Sequence, residues 1–501
     1  MRLHRRALLR AQPGPERPGR RAHAAPSGQP CDRGARRHPI LQPARLEPRG
    51  RRGRAGAGRR AAIVTLPPFG YRVVAPGEHD RVAPPIAVEE DERTITLRRG
   101  TLSLTLDRAR GVIAQITSAD FPAGALRADC PLADLEMTRA GQVERFGQIE
   151  VALKREPAPQ IVVRRRGRGD APRQAITITI ALAPELDAID ITYSAAALPR
   201  PDGRMHAALQ TTIALDLPMF RLIHDHPYGV SELRADSTYL RKYPTGDWMT
   251  SPQVFEEVRN PFTALQLLDF DGGERGLLYL HDGSQAMLRD GDRVRNILSM
   301  YDPWDEDHFD PQLEARVRLV PHGRLTHARR WRLAQEFARP ALATRNERSG
   351  DSSSSTEPEL PPQFGPVYCD APNVAVSAFY RESEAAGARI EGYAGAGMGF
   401  PYVLRLVELD GATTTARVRL AGPVAAAYRT NLLGEIVEPL ALATTAALDA
   451  SPIEWSELAV ALRPHEIATL YLDLLLGRKV GRDLDAHRSV WATVHRAGEN
   501  T

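Results

Sequence analysis

The sequence predicts an all-β protein, with a large β-domain followed by a smaller antiparallel sandwich. Three observations predict it. Ile176, Ile178, Ile180 and Leu182 alternate with Thr177, Thr179 and Ala181, the period-2 pattern of a half-buried strand. Short alternating runs recur between 400 and 474, with Asp410-Gly411 as a turn signal between two of them. No long stretch carries the 3.6-residue apolar period of a helix.

Residues 1–60 stand apart. They hold 17 arginines, no lysine and three acids, hence +14, so with the whole chain at +4 the remainder sums to −10. Arg, Pro, Gly and Ala without a periodic apolar face cannot offset the entropy of ordering, which predicts a disordered leader. It has the charge of a nucleic-acid tail, but no aromatics are interleaved for base stacking. It is Arg-rich and acid-poor like a transit peptide, but lacks the Ser content and the amphipathic face. A GC-rich gene read out of frame yields this same mixture, and a frameshifted or misassigned remnant is the expectation.

A linker β-segment is expected over 61–90, with Thr65 to Val74 as an edge strand because Pro67-Pro68 cannot donate to a ladder. The central domain is expected over 91–345. Thr94–Leu97 and Leu102–Leu106 read as a hairpin over Arg99-Gly100. Asp107 to Gly111 turns the chain and Val112–Thr117 returns it. Val143–Arg155, Gln160–Arg166, Ala175–Leu182 and Ala188–Tyr193 continue as a meander, with Arg168-Gly169-Asp170 as turn chemistry. His206–Leu217 adds a strand. Leu277–Leu280 reads as a buried strand ending at Asp282-Gly283. Gln312–Val320 and Arg329–Ala334 close the domain. The Ser/Pro composition of 346–364 marks a linker. A second β-domain is expected over 365–475, and a tail, 476–501, with a short helix from Asp483 to Arg496.

The three cysteines, Cys31, Cys130 and Cys369, offer neither a disulfide framework nor metal spacing, and imply a reducing, cytoplasmic compartment. No apolar run reaches the ~18 residues of a membrane span.

The wording of the last domain is specific. "VLRLVE" holding Arg405 and Glu408, "YRTNLLGE" holding Asn431-Leu432-Leu433, and "LRPHEIATLYL" holding Pro464, Glu466, Ile467 and Thr469 follow in this order. The set resembles the carboxyl-terminal β-domain of glycoside hydrolase family 38, the retaining α-mannosidases. Val407, Gly434 and His465 depart from the family's usual residues. The resemblance, which starts near "VTLPPFGYRVV", implies that the central domain is a supersandwich of the galactose-mutarotase type. It implies mannose-containing glycans as ligands and allows a homo-oligomer. It also implies a zinc ion, held in an α/β domain that precedes these β-domains in the family and supplies the nucleophile and the acid/base. Those groups have no matching positions here. No catalytic or metal-binding residue is carried over, no cofactor is expected in this chain, and activity of the chain alone is not expected.

Two clusters could still carry chemistry. His224-Asp225-His226 sets two imidazoles on one strand face, a spacing that can ligate a metal with a third group such as Asp236 or Asp247; solvated histidines ahead of Pro227 are the plainer reading. Asp302, Trp304 and Asp305, with Asp247-Trp248 and His281, have the make-up of a sugar site: aromatic faces for apolar ring faces, and polar groups for hydroxyls. They would serve a stand-alone carbohydrate-binding β-protein, the alternative function, or complete a neighbouring pocket. Loop anchoring by the tryptophans, with solvated acids, is the competing account. The glycines Gly392, Gly395, Gly397 and Gly399 lead into a strand, so they lack the helix N-terminus of a phosphate-binding loop.

Overall fold

The computed structural model describes residues 43–45, 61–75, 77–139, 142–166, 175–198, 208–233, 262–300, 311–343, 362–381, 400–445 and 455–474. Their strand pairings are antiparallel, and the helix among them is α1, His327–Ala338.

The central β-region is built on a nine-stranded sheet. Its order is Gln148–Lys154, Gln160–Arg166, Ala175–Leu182, Ile189–Ala195, Leu313–His322, Gly276–His281, Leu267–Asp271, Arg221–His226 and Gly229–Glu232. A six-stranded sheet, from Gln142–Arg145 through Leu135–Arg139, Ala208–Ile213, Arg293–Met300 and Ala286–Asp290 to Phe262–Thr263, supplies a second layer. A four-stranded sheet runs Ala87–Glu90, Thr94–Arg99, Leu102–Asp107, Val112–Thr117. One apolar core draws on all three, with Leu97, Leu104, Ile178, Ile191, Phe270 and Leu319. The alternation expected for Ala175–Leu182 is observed: its isoleucines are buried and the threonines between them half-buried. The Thr94–Arg99 hairpin turns at Gly100, whose φ of 59° is left-handed backbone that glycine adopts without a steric penalty.

Three expected elements differ. Val143 to Arg155 is two strands in different sheets, Gln142–Arg145 and Gln148–Lys154, with Gly147 at the crossing. Thr65 to Val74 is broken at the proline pair: a strand ends at Thr65 and another opens at Tyr71. Arg329–Ala334, expected to close the sheet, lies inside α1. The helix opens at Thr326, whose side chain accepts from the Arg329 N–H, a standard N-cap. Its buried stripe is Arg330, Leu333, Ala334 and Phe337. The spacing is helical, but an arginine stands in the first apolar position and hides the period.

α1 packs on the outer face of the nine-stranded sheet, where Leu333, Ala334 and Phe337 meet Ile223, Leu267, Leu278 and Val320. Arg330 enters this apolar interface because Asp269 waits for it. Asp269 is fully buried and accepts from Arg330 Nε at 2.6 Å and pairs with His322 Nε2 at 2.8 Å. Burial alone would lower the His322 pKa; its bond to Asp269, that charge and the Gly323 carbonyl raise it above the ordinary value. The other side of α1 touches the second domain. Ala328 and Trp331 pack with Ala375, Val407 and Leu409, and the Ala328 N–H donates to Asp410 Oδ1 at 3.0 Å.

The second domain is a sandwich of two sheets. One runs Val367–Cys369, Thr414–Ala421, Trp455–Leu462, Leu442–Thr445; the other runs Val374–Arg381, Phe400–Glu408, Ile467–Leu474, Val424–Thr430, Ile436–Pro439. Leu404, Leu406, Val418, Leu458, Val460 and Leu470 fill the space between them. Asp410-Gly411 therefore does not close a hairpin. It carries the chain from one sheet to the other. Glu408 forces that corner: its buried carboxylate accepts the N–H groups of Asp410, Gly411 and His465 and the Asn373 amide, at 2.8–2.9 Å. Burial opposes ionisation of Glu408, but these bonds hold its pKa below the ordinary value.

Breaking a buried pair by removing one partner costs roughly 3–5 kcal/mol. Asp269→Asn is expected to lower the unfolding free energy by that order in urea titration, with exposed Glu92→Gln as a neutral control. Glu408→Gln leaves four donors around a weaker acceptor. It is expected to cost about 2 kcal/mol and to raise amide exchange at Asp410, Gly411 and His465 while the central sheet stays protected.

Candidate functional site

Of the six expected sugar-site residues, His281 lies among the described residues; Asp247, Trp248, Asp302, Trp304 and Asp305 lie outside them. His281 ends the strand Gly276–His281. That strand is buried on both faces, by the core on one side and α1 on the other, so a loop-like solvated imidazole is not what forms. Odd-numbered residues of this strand point inward, placing the His281 ring beside Tyr279, with centroids 6.4 Å apart. Tyr279 Oη donates to Asn296 Oδ1 at 2.9 Å across the two layers, and Asn296 Nδ2 donates to the Ser284 carbonyl at 2.7 Å. His281 is fully buried, and among the described residues neither ring nitrogen makes a hydrogen bond of ordinary geometry. Burial pushes its pKa down to about 4, against the raising effects of the Asp282 carboxylate and the Ala264 backbone. Asp282 itself accepts from the Arg316 N–H and Nε at 3.0 and 2.6 Å. The ring therefore sits in the sandwich interior as a neutral imidazole, and the acid beside it is committed to a neighbouring strand.

His224-Asp225-His226 has the geometry expected of a strand: two imidazoles on one face, 6.3 Å between centroids, and the carboxylate on the other. Asp225 is turned into the protein. Its Oδ1 gathers the N–H groups of Leu265, Gln266 and Leu267 at 2.8–3.1 Å. Burial still raises its pKa against those bonds. His224 Nδ1 lies 3.1 Å from the Thr263 carbonyl, to which it donates. Burial lowers the pKa of both histidines, and His224 adds to the effect on His226. Asp236 and Asp247, the carboxylates considered as third ligands, lie outside the described residues, and among the described residues no three His, Cys, Asp or Glu side chains converge as a metal site. The described residues do not fit a zinc ion. The arrangement here is a strand clamp: one carboxylate organising three backbone donors.

Sequence reasoning missed the buried Asp269, Arg330 and His322. Their signal was present in the Arg-rich run His327–Ala338, since buried arginine implies a buried acid. It also missed a groove on the outer face of the nine-stranded sheet, about 790 Å³, floored by Thr179 and Thr192 and walled by Pro84, Pro157 and Phe337.

The described chain is thus of the class built from antiparallel sandwiches clipped together by a helix. Residues 399–470 match the family model described as "Glycosyl hydrolases family 38 C-terminal beta sandwich domain". The match falls within the second sandwich and includes the strand Phe400–Glu408 and most of Ile467–Leu474, which carry the sequence resemblance. No curated protein matches the chain. Among solved structures, it is similar to an alpha-mannosidase from Enterococcus faecalis V583, at 12% identity and TM-score 0.45, over 77% of this chain and 42% of that one. A second glycosyl hydrolase family 38 protein from Enterococcus faecalis gives 13%, 0.45, 77% and 43%. A galactose mutarotase related enzyme from Lactobacillus acidophilus gives 10% and 0.26, over 46% of this chain and 97% of that one. The chain spans less than half the length of the two family 38 proteins.

His281 makes a pH test. Its folded pKa of about 4 lies below the unfolded value of about 6.5. Its contribution is therefore fully present above pH 6.5 and is lost as pH falls toward 4, by an amount on the order of 3 kcal/mol. His281→Leu is expected to leave stability at pH 7 unchanged or raised by about 1 kcal/mol, and to flatten the decline between pH 6.5 and 4. Urea midpoints across that range check it; an unchanged slope contradicts it.

Proposed function

We propose that these β-domains are the carboxyl-terminal part of an α-mannosidase-type glycoside hydrolase that acts on α-mannosides of mannose-containing glycans. The family match over residues 399–470 carries the reading. In it, nucleophile, acid/base and zinc ligands belong to a domain outside the described residues, and the sandwiches act as its scaffold. Retaining hydrolysis requires two carboxyl groups about 5 Å apart, one of them free to attack. The buried acids met here, Asp225, Asp269 and Glu408, are each held by three or more donors or by a cation, which suits anchoring.

An exposed apolar tip supports a packing role. The hairpin joining Val424–Thr430 to Ile436–Pro439 presents Leu432, Leu433 and Val437, 64%, 85% and 64% exposed. Such a tip gains by being covered, whether by the hydrolytic domain or by a second copy of the chain. The sparse, unpaired cysteine usage supports a reducing, cytoplasmic compartment.

The purified chain, incubated with an aryl α-mannoside with and without zinc, is expected to show no turnover above background. Zinc-dependent turnover by the chain would overturn the assignment of hydrolysis to another domain. Translating the DNA upstream of codon 61 in all three frames is expected to reveal a zinc-ligating α/β module, and its absence there would remove the reading.

A further inference from the structure

The groove on the outer face of the nine-stranded sheet has a hydrogen-bonding inventory that selects for one ligand chemistry. Its floor is two cross-strand rows. Thr179 pairs with Thr192 and Thr192 with Arg316; beside them Gln160, Ala181, Asp190 and Arg318 follow one another across four strands. The linker prolines Pro84 and Pro85, the loop prolines Pro157 and Pro159, and the carboxyl-terminal turn of α1 form the walls.

The cations in this groove are committed. Arg318 pairs with Glu185 and Asp190, both at 2.6 Å. Arg316 pairs with Asp282 at 2.6 Å, and Arg155 with Glu90 at 2.9 Å. Arg99 donates to the carbonyls of Ala183 and Leu186. Two of the guanidinium groups also lie over the Phe337 ring, at 5.4 and 5.2 Å from its centroid. What remains uncommitted among the described groove residues is neutral or acidic: the hydroxyls of Thr179 and Thr192, the Gln160 amide and the Glu336 carboxyl. Glu336 sits on the last turn of α1. Burial raises its pKa, with the Glu185 carboxylate adding to the effect and nearby arginines opposing it.

An anionic ligand would find no unpaired cation here and would face that carboxyl. A purely apolar ligand would strand two hydroxyls, an amide and an acid, at roughly 1–3 kcal/mol for each group left without a partner. A neutral polyol answers both conditions, because its hydroxyls donate and accept as the threonines and the amide do. Its C–H faces lie against flat proline rings. The volume of about 790 Å³ falls in the range of small-molecule sites.

We infer that this groove is a binding site for a short neutral oligosaccharide, held by Gln160, Thr179, Thr192 and Glu336 against the proline walls. The inference does not depend on the α-mannosidase reading. It involves no hydrolysis and none of residues 301–308.

Calorimetric titration of the full chain with neutral gluco-, manno- and galacto-oligosaccharides, disaccharide to tetrasaccharide, tests it. An oligogalacturonate of matched length is the anionic control. At least one neutral series is expected to bind, with the oligogalacturonate weaker by tenfold or more. The double variant Thr179→Val, Thr192→Val keeps shape while removing both hydroxyls, and is expected to weaken binding at least tenfold. Trp304→Ala is expected to leave it unchanged. Hydrogen exchange on the unsubstituted chain, which requires no variant to fold, is expected to show sugar-dependent protection in Ala175–Leu182 and Ile189–Ala195. Absence of binding in all three neutral series overturns the inference. So does preference for the anionic sugar, sensitivity to Trp304→Ala alone, or protection that falls elsewhere. Turnover of an aryl mannoside by the chain would bear on the function proposed above and leave this result untouched.

Discussion

The interaction on which the described structure turns is the buried contact of Asp269 with Arg330 and His322. A carboxylate with no solvent exposure is tolerable only with opposite charge and hydrogen bonds around it. Here the cation comes from a helix and the imidazole from a strand of the same sheet. The pair therefore sets where α1 lies and how it is rotated. Leu333, Ala334 and Phe337 then fall on the sheet, while Ala328 and Trp331 face the second sandwich. One ionic contact thereby orders two apolar interfaces, and α1 is the joint through which the central region meets the carboxyl-terminal domain.

Glu408 plays a comparable part at smaller scale. Four donors from three separate segments converge on one carboxylate. Without it, Asp410-Gly411 would favour a tight hairpin; with it, the chain leaves one sheet and enters the other. Gly411 has φ of 74°, as such a corner requires. Asp225 repeats the theme on the nine-stranded sheet, gathering three consecutive N–H groups that the strand Leu267–Asp271 would otherwise leave without partners at its start. Acids at strand ends do the work of turns in this protein. That is consistent with a scaffold whose buried carboxylates are anchored.

Legibility from sequence followed the range of the interaction. Ala175–Leu182, the Thr94–Arg99 hairpin and Gly276–His281 could be read because period-2 alternation and a glycine turn are local signals. The strand partners of Phe400–Glu408 could not, because Ile467–Leu474 lies some sixty residues away along the chain and the nearer run, Thr414–Ala421, presents the same alternation. α1 was obscured because Arg330 occupies an apolar slot whose justification, Asp269, lies 61 residues earlier in the chain. Of the sugar-site residues expected, His281 could be chosen for its type, but its inward direction depends on which sheet face is the core.

The amino-acid sequence by itself determined that the chain is β-rich, where most strands begin and end, and the kinship of residues 399–470 to the family 38 sandwich. These are properties of spacing and wording, carried within a few residues of one another. Only the tertiary structure decided which strands share a sheet, that Asp410-Gly411 is a crossing, that His281 is a buried interior imidazole, and that Gln160, Thr179, Thr192 and Glu336 line one groove. The physical reason is that burial and hydrogen-bond commitment are properties of neighbours in space. A guanidinium in the sequence looks free until the carboxylate that holds it is found.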